Sequence, residues 1–243
     1  MRSKGGRGSA ASVTWRAFFC IARLLAALVW VLAPRAYGES DVLGLVGQRL
    51  DLMRDVAAHK WINGLRIEDR DRETAVLLNA ADVALRHGIE VASTRELFRV
   101  QISAAKEIQH YWFERWAIDN APASAPDLNK VVRPQLLVLG EQILASLATQ
   151  GCCAAYVGDA LNVEGLNAGT RAALLRALAS VERYRNRLDQ VLRSGVLRIG
   201  TTGDYAPFSH RAADDEPFVG VDIDLGRDLG ASLEAEARFV PTS

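Results

Sequence analysis

Cysteine is scarce in this chain, with three in 243 residues, at positions 20, 152 and 153. Chain neighbours have Cα atoms about 3.8 Å apart, closer than a relaxed disulfide accepts. Cys152 and Cys153 therefore build no disulfide framework, and no zinc-ligand spacing can be assembled from the three. Net charge is missing too: 29 basic and 29 acidic side chains sum to zero. Beyond the first residues no basic block offers the electrostatic footprint of a nucleic-acid binder. Histidine is limited to four residues; His59 and His110 read as helix-surface residues, outside any histidine-based catalytic constellation. What remains open is a small-molecule ligand held by fixed polar groups.

Long apolar runs are lacking except near the start. Arg2, Lys4, Arg7 and Arg16 precede an apolar stretch over residues 17–33, which Arg23 interrupts and Pro34-Arg35 end. It falls short of the about 20 residues a spanning helix needs. Ala36-Tyr37-Gly38 then places small residues where a signal peptidase reads. This predicts an export signal over residues 1–38, cleavage after Gly38, no membrane association afterwards, and a periplasmic or secreted location. Two leftover cysteines fit an oxidising compartment. The mature remainder, about 205 residues, suits one or two domains.

Alternating strand patterns are absent from residue 40 to about 193, where the periodicity is helical. Leu43, Val46, Leu50, Met53 and Ala57 give a first helix its buried stripe, and Asn63-Gly64 breaks it. Asp69 is the expected N-cap of a second helix, stopped near His87 by Gly88. Ser93 and Glu96 form an expected capping box for a third, reaching Ile118. After a Pro-containing linker over residues 121–126, a fourth helix runs to about Gln150, with a bend expected at Pro134. Residues 162–169 read as loop, and Thr170 opens a last helix ending near Arg193. This segment reads as all-α.

Two polar groupings stand out against that frame. Arg49 and Lys60 are eleven residues apart, almost three helical turns, so they project from one face, and the D-x-x-R-E cluster of Asp69, Arg72 and Glu73 follows. Two cations with such a cluster suit a small dianion. On the third helix Phe98, Ile102, Ala105, Gln109, Trp112 and Trp116 share a face, and Gln109 is its polar exception. A buried amide must find partners. A backbone carbonyl would satisfy it, and so would a ligand; Lys60, Arg72 and Glu73, which need a shared polar cavity, favour the ligand.

The stretches Q-R-L-D-L-M-R-D-V-A-x-x-K-W, I-E-D-R-D-R-E and E-I-Q-x-Y-W resemble the exported chorismate mutases of the all-helical class, over residues 39–193. The resemblance implies conversion of chorismate to prephenate without metal, cofactor or covalent intermediate, at a site within one subunit of what is often a homodimer. It assigns the two substrate carboxylates to Arg49 and to Arg133 of the V-V-R-P step, with Arg72 supporting the carboxylate and the bound conformation. Lys60 and Gln109 match the donors to the ether oxygen, and Glu73, with Asp69 beside it, matches the acceptor of the substrate hydroxyl. Exported relatives can carry a glutamate in place of Gln109 and a hydroxyl in place of Ala105. No cysteine in the final helix is available to tie it to Cys152 or Cys153.

Past Ser194 the pattern changes to strand, turn, helix, strand: residues 196–200, 203–207, 222–233 and 237–240. L-R-I-G-T-T-G-D-Y-A-P-F-S and G-V-D-I-D-L resemble the start of a periplasmic cyclohexadienyl dehydratase, itself similar to solute-binding proteins. Residues 194–243 are expected to be a truncated segment of that partial α/β kind, without dehydratase activity of its own. A different function stays open: a helical dianion-binding or sensor module preceding an amino-acid-binding lobe. Both have a dianion pocket; one turns chorismate over.

Overall fold

The computed structural model describes residues 42–150 and 161–242; the expected signal segment and the Cys152-Cys153 pair lie outside them. The apolar stripe of the first helix is realised in two pieces, α1 (Val42–Asp51) and α2 (Met53–Ile62). At Leu52 the ladder is weakened rather than broken: Leu52 N–H reaches Gln48 O at 3.4 Å, and Val56 N–H returns to Leu52 O at 3.1 Å. α3 (Arg70–His87) starts where the sequence predicts, with an Asp69 carboxylate oxygen accepting from Arg72 N–H at 3.0 Å, and ends on left-handed Gly88 with φ of 71°.

Three helix ends differ from expectation. α4 (Val91–Ile118) starts ahead of the Ser93–Glu96 box: Glu90 is the N-cap and its side chain accepts from Ser93 N–H at 2.6 Å. Tertiary pairing sets that entry point, because Glu90 N–H donates to Glu182 O at 2.9 Å and Ile89 bridges Arg183. The fourth helix is preceded by a π-helical turn, Leu128–Val132, capped by Asp127, and α5 (Arg133–Gln150) follows it. The irregularity thus lies just before Pro134, which falls in the first turn of α5 where a missing N–H is tolerated. The last helix divides into α6 (Ala168–Ala179), capped by Asn167, and α7 (Arg187–Ser194), capped by Asn186. Residues 180–186 leave the helix to pair with the α3–α4 junction, where Tyr184 N–H donates to Gly88 O at 3.0 Å.

The helices pack around α4, which contacts α2, α3 and α6, while α5 closes on α1 and α3. Leu97, Ile108, Ile143, Leu144, Leu174 and Leu178 are fully buried between them. By length and composition Leu128–Thr149 would also suit a bilayer, but Leu128, Val132, Ile143, Leu144 and Leu147 belong to this core.

Beyond α7 the chain forms β1 (Val196–Thr201), the short ribbon β2 (Asp204–Tyr205) and β3 (Ser209–His210), α8 (Val221–Ser232) and β4 (Glu236–Pro241). β1 and β4 pair in parallel, Ile199 opposite Phe239, with α8 as the crossover. Gly226 lets that helix lie against the strands, since a Cβ there would sit 2.7 Å from Ile199 Cδ1. The described residues are therefore all-helical up to α7 and mixed α/β after it.

Candidate active site

One cavity is walled by α1, α2, α3, α4 and the start of α5, and all seven residues singled out from the sequence line it: Arg49, Lys60, Asp69, Arg72, Glu73, Gln109 and Arg133. The expected phase between Arg49 and Lys60 survives the weak point at Leu52. Leu50, Met53, Val56, Ile67, Val76 and Phe98 supply apolar wall between the polar heads.

The cations are held by backbone and by aromatic surface. Arg49 donates to Leu136 O and its guanidinium lies over the Phe98 ring, 5.5 Å from the centroid. Burial, and then the neighbouring charge of Arg72, bring Arg49 down to about 10. Lys60, 9 % exposed, donates to Ile67 O at 2.5 Å. Burial lowers its pKa and Arg133 adds to that, while Asp69 and Glu73 oppose it. Arg72 is lowered by burial first and Arg133 second, against Asp69. Arg133 Nη1 donates to Asn129 Oδ1.

These shifts share a physical reading. Arg49 with Arg72, and Arg133 with both Arg72 and Lys60, repel one another in a partly desolvated space. Counting Lys106, five cationic side chains line the cavity against the two carboxylates of Asp69 and Glu73. A bound dianion relieves that excess.

The amides behave differently. Gln109, 4 % exposed, donates from Nε2 to Ala105 O at 2.9 Å, and its Oε1 is buried without a partner. The backbone carbonyl anticipated as its satisfier is present, but it takes one of the two Nε2 hydrogens and leaves the other for a ligand. Trp112 and Trp116, from the same expected face, go to the core and stack at 5.4 Å.

Sequence reasoning missed two residues. Lys106 pairs with Glu73 at 3.2 Å, a contact between α3 and α4 that no local pattern encodes. Gln101 lines the cavity at 2 % exposure, with neither Nε2 nor Oε1 partnered. Its row with Ala105 and Gln109, at steps of four, was the available signal. A buried amide atom left unpaired costs about 1–3 kcal/mol.

Residues 39–110 match the family described as chorismate mutase type II. A secreted chorismate mutase of Mycolicibacterium smegmatis is 36 % identical over 133 residues, 52 % of this chain and 73 % of that protein. The crystal structure of a secreted chorismate mutase from Yersinia pestis superposes with a TM-score of 0.54 at 29 % identity, over 58 % of this chain and 97 % of that one. A cyclohexadienyl dehydratase of Pseudomonas aeruginosa is 48 % identical over 69 residues, 28 % of this chain but 25 % of that protein. The chain thus spans about a quarter of the dehydratase.

Proposed function

The chain belongs to the type II chorismate mutase family, and on that premise we propose that it is an exported mutase whose catalytic and substrate-binding groups are the seven cavity residues named above. The enzyme is an isomerase that rearranges chorismate to prephenate, a step of phenylalanine and tyrosine biosynthesis. The observation that carries the site assignment is the convergence on one cavity of Arg49, Lys60, Arg72 and Arg133, with the first three lowered by burial and each by a neighbouring arginine.

Chorismate is a dianion, and its enolpyruvyl arm must fold over the ring before the new carbon–carbon bond can form. Arg49 and Arg133 take the two carboxylates, and Arg72 supports the folded conformer, an orientation effect that removes entropy from the barrier. As the carbon–oxygen bond lengthens, negative charge gathers on the ether oxygen. Lys60 and the second Nε2 hydrogen of Gln109 donate to it there, stabilising the transition state more than the ground state. Asp69 and Glu73 oppose the lowering of the Lys60 pKa by burial and so favour its charged form. Glu73, steadied by Lys106, accepts the substrate hydroxyl.

Export is supported by the N-terminal sequence pattern and by the description of the mycobacterial relative as secreted. For residues 194–243 the reading is the opening of a dehydratase-like domain, supported by the 69-residue match to the dehydratase and by the parallel β1–α8–β4 unit. Such a domain would consume prephenate, the mutase product.

The test is loss of chorismate absorbance on adding purified protein, repeated with Lys60→Ala. The variant should keep its helical spectrum and lose about 3 kcal/mol of transition-state stabilisation, on the order of a hundredfold in kcat/KM. Near wild-type turnover in Lys60→Ala would defeat the site assignment. An inactive wild type would leave a dianion-binding module.

A further inference from the structure

Gln101 is the least exposed polar side chain of the cavity wall, and both ends of its amide lack a partner among the described residues. It precedes Gln109 by eight residues, about 12 Å along the helix axis, with side chains on α4 leaning back toward the N-terminus. The two amides therefore serve opposite ends of the cavity. The end nearer Gln101 belongs to Arg49: its guanidinium covers Phe98, one turn before Gln101, and a Cβ on Gly140 would meet Phe98 Cε1 at 3.7 Å and Arg49 Nη1 at 3.9 Å. Between the amides stands Ala105, whose methyl fills little of the space.

We propose that Gln101 is a further substrate-binding residue, donating from Nε2 to the carboxylate that Arg49 binds. This rests on the mutase reading above. A guanidinium that already donates to Leu136 O fixes a carboxylate better with a second donor at an angle to it, and a neutral amide adds that donor without adding to the crowded positive charge. A sixth cation at position 101 would raise the repulsion that, with burial, already depresses Arg49. The contact is made in substrate and transition state alike, so it belongs to binding and not to the chemical step. An unpartnered buried amide in the free enzyme is then a group held ready for ligand.

The experiment is steady-state kinetics and thermal unfolding of the purified full chain, wild type against Gln101→Leu. The expected result is a KM for chorismate raised about tenfold with kcat within about threefold, and an unfolding midpoint in the absence of substrate that is raised, because two unpaired polar atoms have been removed. An unchanged KM overturns the inference, whatever happens to stability. A loss carried mainly by kcat overturns it as well, since that places the contact in the transition state. If Gln101→Leu does not fold, Gln101→Met is read by the same criteria. Wild-type turnover with an unaltered variant KM removes this inference alone, whereas absence of wild-type turnover removes the mutase reading and this inference with it.

Discussion

Gln109 occupies a place where exported relatives can carry a glutamate, and the two side chains donate under different conditions. An amide donates at any pH; a carboxyl must keep its proton. Gln109→Glu should therefore lose activity as pH rises, because the ionised carboxylate both loses its hydrogen and repels the developing ether oxyanion. Wild type should lack that fall through neutral pH, and a variant equal to it in mildly alkaline buffer would remove Gln109 from the ether-oxygen role. The wild-type limit lies higher. Arg49 is lowered to about 10 by burial and by Arg72, so its charge is complete at pH 7 and is lost as pH climbs through that value. Lys60, lowered by burial, loses its charge in the same direction. kcat/KM, which reports the free enzyme, should decline on approaching pH 10. A profile flat to about pH 11 in folded protein would show that burial and Arg72 do not bring Arg49 into that range.

At the scale of the element, the ends of α3 position the site. Asp69 caps its N-terminus and lines the cavity, so Arg72 and Glu73 of the first turn reach the cavity as well. Gly88 ends the same helix at φ of 71°, with nothing within 4 Å of an added Cβ. Gly88→Ala should then cost only the left-handed backbone penalty, about 1 kcal/mol, measured by denaturant unfolding. No loss at all would mean that the turn relaxes freely, and a loss beyond about 3 kcal/mol would implicate the contact of Tyr184 N–H with Gly88 O instead. Both caps of α3 were legible because Asp and Gly act within a few residues of themselves. The entry to α4 and the break between α6 and α7 were not, since Glu90, Arg183 and Tyr184 meet across ninety residues of chain.

For the whole molecule, the question is whether the α/β segment supports the mutase. The buried members of the helical core end at Leu178, and the buried residues Phe218 and Ile223 lie outside that cluster. β1 and β4 form a two-stranded sheet, an arrangement that leaves strand edges unpaired. Residues 39–193 should therefore match residues 39–243 in kcat and KM for chorismate, within about twofold, and should be the less aggregation-prone of the two. Loss of mutase activity in the shorter form would show that the segment is part of the enzyme.

What the sequence determined by itself was the helical character up to residue 193, the change to strands after residue 194 and seven of the polar residues that line the cavity. Most follow from spacing along one element or from a pattern of residue types: Arg49 and Lys60 share a phase, Asp69 is a cap, Gln109 is polar on an apolar face; Arg133 came from the family resemblance. Tertiary structure alone decided which groups keep partners. The Glu73–Lys106 pair, the carbonyl that Lys60 finds at Ile67 and the unpaired amide of Gln101 depend on how α2, α3 and α4 pack. Hydrogen-bond satisfaction is a property of three-dimensional neighbours, and periodicity in one dimension carries no record of it.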